Sequence, residues 1–86
     1  MKFEFDPNKS ASNKVKHGID FIDAQELWQG PVLEVPVATS DERRWLVIGK
    51  IGDVFWTAVI ARRAQDSTRI ISVRRSRDEE KELYEK

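Results

Sequence analysis

The residues of this chain with chemical potential are mostly cations. Lys16 and His17 end a first helical stretch, Arg63, Arg69, Arg74 and Arg75 lie in the last two predicted strands, and Glu42 stands just before the central strand. Cleaving RNA without a metal ion needs such a set. One group takes the proton of the 2′-hydroxyl, another protonates the leaving 5′-oxygen, and fixed positive charge stabilises the crowded phosphorane. Arginine suits the last role, because its fork matches two phosphate oxygens and stays charged. Histidine suits proton transfer near neutrality. A lysine crowded by arginines has its pKa lowered toward that range. Glu42 either acts as a base or orients an arginine.

Each residue also has a plainer reading. His17, next to Gly18, caps a helix and favours its dipole. Lys16 is solvated on a helix surface, and Glu42 forms a surface ion pair with Arg44. Arg74 is a buried or interfacial ion-pair partner. Trp45 and Trp56, in apolar strands, are core rather than stacking platforms for bases. No metal or cofactor is expected. There is one histidine and no cysteine, and Asp20, Asp23 and Glu26 read as a solvated helix face. Neither a glycine-rich phosphate loop nor a G-x-S-x-G motif occurs.

The elements that must position these residues follow from pattern. Phe3 and Phe5 alternate with charged residues, as in a half-buried strand. Asp6 is an N-cap, Pro7 opens a helix and Gly18 closes it. At 100° per residue Lys9, Asn13, Lys16 and His17 share a cationic, hydrogen-bonding face, while Ala11 and Val15 point to a core. A second helix is expected from Asp20, burying Phe21, Ala24, Leu27 and Trp28, and ending at Gly30-Pro31. Val32 to Val37 reads as an edge strand, since it contains Pro36. Ala38 to Glu42 is a loop. Arg43 to Ile51 and Val54 to Arg63 read as a hairpin, apolar on both faces, turning at Gly52-Asp53. Gln65-Asp66-Ser67 turns the chain into a last strand, Thr68 to Arg75. Strict alternation there puts Ile70, Ser72 and Arg74 on one face and Arg69, Ile71, Val73 and Arg75 on the other. A C-terminal helix opens with a capping box from Ser76 to Glu79. Only Leu83 and Tyr84 anchor it, so it is expected to dock loosely. The order β-α-α-β-β-β-β-α implies an α+β fold, an antiparallel meander with two N-terminal helices on one face and a C-terminal helix.

Eighty-six residues make one domain, 1–86, with a thin core. The lack of cysteine fits a cytoplasmic setting, and no apolar run approaches membrane-spanning length. Net charge is zero but segregated. Residues 20–42 hold six acids and no Lys or Arg, residues 43–77 hold nine Lys and Arg against two acids, and residues 78–86 hold five acids and two lysines. A basic sheet region beside acidic patches is the expected surface.

Three motifs carry a family resemblance. They are F-x-F-D-P-x-K-x-x-x-N-x-x-K-H-G from Phe3, Glu42-x-Arg44-Trp45-x-x-Ile48-Gly49, and Arg69-Ile70-Ile71-Ser72-x-Arg74-Arg75. In order and spacing the chain resembles the BrnT family, the toxin half of bacterial type II toxin–antitoxin pairs. The resemblance implies a RelE-like fold and a translation-inhibiting ribonuclease. It also implies neutralisation by a BrnA-like ribbon–helix–helix antitoxin in a heterotetramer that meets promoter DNA only through the antitoxin. Asn13, Lys16, His17, Gly18, Glu42, Arg44, Trp45, Arg63, Arg69, Arg74, Glu80 and Tyr84 match the family pattern. On this footing Lys16, His17, Glu42, Arg63, Arg69 and Arg74 are the catalytic candidates. Lys9, Asn13, Arg44 and Arg75 are the RNA-binding ones. Three departures stand out: Asp41 replaces a glycine, Ala61 replaces a threonine, and Asp78 to Glu82 is acidic where the family is basic. The alternative is an inactive module that binds its antitoxin and helps to repress the operon.

Overall fold

The computed structural model describes residues 1–38, 42–64 and 66–86. Strand β1 is Lys2–Glu4, helix α1 Pro7–His17, β2 Leu33–Val37, β3 Arg44–Ile51, β4 Val54–Arg63, β5 Ser67–Arg75 and helix α2 Asp78–Glu85. A 3-10 helix, Asp23–Gln29, lies between α1 and β2. It stands where a second α-helix was expected, and it buries Ala24 and Leu27 as the pattern required. Asp20 does cap this region, accepting hydrogen bonds from the backbone N–H of Ile22 and Asp23. The expected turn residue Gln65 and most of the expected loop from Ala38 to Glu42 lie outside the described residues.

The five strands form one sheet in the order β1-β5-β4-β3-β2. Strands β2 to β5 make the antiparallel meander. The all-antiparallel expectation is corrected at β1, which pairs with β5 in parallel, Glu4 opposite Arg69. Pro36 sits in the edge strand β2, where a missing N–H breaks no ladder.

One face of the sheet carries the main core. Val47, Ala58, Ile60, Ile70 and Val73 pack there against Ile19, Phe21, Ala24 and Leu27, with Trp45 and Trp56 half-buried at the margin. Gly49 on this face admits a close approach, since a Cβ there would come within 3.1 Å of Leu27 and Val32 side chains. Strict alternation in β5 is broken between its two halves. Val59 pairs with Ser72 but the next residue, Ile60, pairs with Ile70, which leaves Ile71 as the extra residue of a bulge. Ile70 and Val73 therefore both reach the core, and Arg74 falls on the face opposite Ile70, contrary to the alternation expected.

Helix α1 is turned the other way from its hydrophobic pattern. Val15 is 90% exposed and Ala11 is exposed, while Ser10 and Asn13 are buried. The reason is the sheet edge. Strand β1 pairs with β5 only as far as Arg69, so the edge groups of β5 beyond it lack a strand neighbour. Asn13 supplies one. Its Nδ2 donates to the Val73 carbonyl at 2.9 Å and to the Ile19 carbonyl at 2.8 Å, and its Oδ1 accepts from the Val73 N–H at 3.2 Å. Ser10 Oγ accepts from the Phe21 N–H at 2.9 Å. A buried amide left unpaired costs more than a valine left in water.

Candidate active site

The second sheet face can be followed as rows of residues directly opposite one another. Lys2, Ser67 and Arg63 form the first row, and Glu4, Arg69, Ala61, Arg44 and Val37 cross all five strands in the second. Ser72, Val59, Leu46 and Val35 form the third, Arg74, Thr57, Ile48 and Leu33 the fourth. Helix α2 covers the fourth row. Its Glu80 accepts a hydrogen bond from Thr57 Oγ1, and the Tyr84 ring stacks edge-on against Phe55. Among the described residues no helix covers the first two rows.

The open rows carry a cluster of opposite charges. Arg63 stands between two carboxylates, 3.5 Å from Glu4 and 3.6 Å from Glu42. Arg69 lies 3.4 Å from Glu4, and Arg44 lies 3.9 Å from Glu42. Ser67 Oγ donates to Glu4 at 3.2 Å. These side chains are 33–43% exposed, so their pairings are long, wet and weak. Among the described residues, three guanidinium groups share two carboxylates here.

The fourth row is different. Arg74 donates from both terminal nitrogens to Glu80, each at 2.8 Å, with side chains 22% and 10% exposed. Glu80 also accepts from the Arg77 N–H at 2.8 Å and from Thr57 at 3.0 Å. The Arg74 guanidinium, with those two further donors, outweighs burial and holds the Glu80 carboxyl down to about 2. The same pairing raises Arg74 further. Helix α2 is thus pinned by a buried ion pair rather than loosely docked. Its cap also sits one residue later than expected, at Arg77 with Glu80, because the Ser76 hydroxyl is engaged with Thr57 at 2.8 Å.

The candidates therefore separate. Glu42, Arg63, Arg69 and Arg44 come together on the open rows. Arg74 is two rows away, roughly 13 Å along the strand at about 3.3 Å per residue, and is committed to Glu80. Arg75 lies on the core face, its guanidinium 5.5 Å from the centre of the Trp56 ring. Lys9, Lys16 and His17 ride on α1, which packs on β5 through Asn13 from the core side. The single constellation expected from sequence is thus split by the sheet itself. Asn13, expected to meet RNA, is consumed by backbone bonds and has no donor left to offer. Glu4 is absent from the candidates read from sequence, although the alternation of Phe3 and Phe5 places it opposite the core side. The parallel pairing that brings it to Arg69 has no local signature. Among the described residues no three His, Cys, Asp or Glu side chains gather as metal ligands, and no helix is long and apolar enough to cross a membrane.

No curated protein matches the chain. The 1.1 Å crystal structure of the Brucella abortus ribonuclease toxin BrnT superposes with a TM-score of 0.68 at 23% identity, over 91% of this chain and 99% of that one, which speaks for the fold. The sequence profile described as "Ribonuclease toxin, BrnT, of type II toxin-antitoxin system" matches residues 5–80. The chain belongs to the BrnT family of ribonuclease toxins of type II toxin–antitoxin systems.

Proposed function

We propose that this protein is an endoribonuclease toxin that binds RNA on the open rows of the sheet and cleaves it by 2′-hydroxyl attack, without a metal ion. The observation that carries the reading is the cluster of Arg44, Arg63 and Arg69 around half-exposed carboxylates. Incoming phosphate displaces the carboxylates from the arginines. The guanidinium forks then hold the non-bridging oxygens and stabilise the charge that grows on them. A displaced carboxylate is left beside the phosphate, where it takes the 2′-hydroxyl proton. Arg74 acts at a distance by fixing α2. Lys9, Lys16 and His17 on α1, and Arg75 on the core face of β5, lie apart from the cluster and add long-range attraction for RNA.

In the same reading the toxin works in the cytoplasm and is neutralised by a ribbon–helix–helix antitoxin, through which alone the complex meets promoter DNA. The rival reading, an inactive module that only binds its antitoxin, is favoured by one observation: the half-buried apolar third row, Val35, Leu46 and Val59, adjoins the cluster. One experiment separates them. Purified protein is incubated with total RNA in EDTA and, separately, with intact ribosomes in magnesium-containing buffer. Fragments with 2′,3′-cyclic phosphate and 5′-hydroxyl ends, lost in Arg69→Ala, are the expected result. Intact RNA from folded protein rejects the enzyme in favour of the module.

A further inference from the structure

We infer that Glu4, in β1, is the general base of this site. The inference rests on the ribonuclease reading above and assigns its proton acceptor. Two carboxylates flank Arg63, and their surroundings differ. Glu4 is in a regular strand, opposite Arg69 in the ladder, and one of its oxygens meets both Arg63 and Arg69. Its second oxygen accepts from Ser67 Oγ at 3.2 Å. Glu42 precedes β3 and stands between Arg63 and Arg44 at 3.6 and 3.9 Å. Glu4 is therefore held from two strands at the point where two guanidinium groups converge.

A phosphate that takes the place of Glu4 Oε1 between Arg63 and Arg69 remains next to Glu4 Oε2. The ribose 2′-hydroxyl of the same nucleotide then falls beside that oxygen. In the step, Glu4 takes the 2′-hydroxyl proton as the 2′-oxygen bonds to phosphorus. The bond from phosphorus to the 5′-oxygen breaks, water protonates that oxygen, and the hydroxide so formed takes the proton back from Glu4. The products are a 2′,3′-cyclic phosphate and a 5′-hydroxyl. Deprotonated carboxylate is the proton-accepting form, so the pH profile of cleavage reports on this group.

The test compares wild type, Glu4→Gln, Glu4→Asp and Glu42→Gln. Single-turnover cleavage of an RNA oligonucleotide is followed across pH, and binding of the same oligonucleotide with 2′-O-methyl groups is measured in parallel. Glu4→Gln is expected to cleave 10²- to 10⁴-fold more slowly, the usual worth of a general base. It should lose the acid limb of the profile while binding the methylated RNA at least as well. Glu4→Asp should regain part of the rate, and Glu42→Gln should keep the acid limb. Cleavage by Glu4→Gln within tenfold of wild type, with the acid limb intact, overturns the assignment and leaves the ribonuclease reading standing. Loss of the acid limb in Glu42→Gln alone transfers the role to Glu42. A wild-type protein that binds but never cleaves overturns both.

Discussion

Two arginine–glutamate groups lie on the same sheet face, two rows apart, and they do opposite work. The Arg74–Glu80 pair is bidentate, 2.8 Å on both arms and largely covered, and Glu80 Oε1 accepts two further hydrogen bonds, from Thr57 Oγ1 and the Arg77 N–H. The cluster of Glu4, Glu42, Arg44, Arg63 and Arg69 is spread over 3.4–3.9 Å and open to water. Identical chemistry thus yields a structural clasp in one place and an available anion site in the other. The difference lies in desolvation: a buried pair is costly to break because it strands a charge, while an exposed pair is worth little either way.

The comparison can be broken most directly at the clasp. Glu80→Ala should destabilise the fold by about 3–5 kcal/mol, because it leaves Arg74 covered and unpaired. The double variant Arg74→Met with Glu80→Leu should recover much of that loss, read by chemical denaturation. Equal losses in single and double variants would show that the ion pair is not what holds α2.

Acid should find the same clasp. The carboxyl of Glu80 sits at about 2 in the folded chain against 4.5 ordinarily. A depressed carboxyl stabilises above its unfolded pKa, and that stability drains away as pH falls toward the folded value. Between about pH 4.5 and 2 the chain should lose on the order of 3 kcal/mol more than Glu80→Gln does, followed by denaturant midpoints at each pH.

The open cluster should answer differently. Arg69→Ala and Arg63→Ala should each change stability by less than about 1 kcal/mol while weakening RNA cleavage by far more than the stability change implies. Raising salt to about 0.5 M, which shortens screening to a few ångströms, should depress RNA binding and leave the thermal midpoint almost unmoved. A midpoint that falls with salt as steeply as binding would erase the distinction drawn here.

How far the sequence foretold all this depends on range. Strand β4 lies at Val54–Arg63 as the apolar run and flanking turns require, and β3 starts one residue later than expected. Those signals are local. The inward face of α1 was misread because burial there follows hydrogen bonding: Asn13 goes in and Val15 stays out, against hydrophobicity. The bulge was invisible because Ile70 and Ile71 are both apolar, so a one-residue phase change leaves no trace in the pattern. Glu80 was hidden in an acidic run whose other members are solvated. Of the cluster, the arginines could be read from composition and motif. Glu4 could not, since its place depends on β1 joining β5 across the whole chain.

The Asn13 bracket has one more consequence, for assembly. Beyond the three residues of β1, the β5 side of the sheet is closed by a side-chain amide that occupies the N–H and carbonyl of Val73. Further strands can be recruited there only along a very short stretch. The opposite border, β2, is the long one left. A second copy of the sheet therefore finds a longer border to pair with along β2 than along β1.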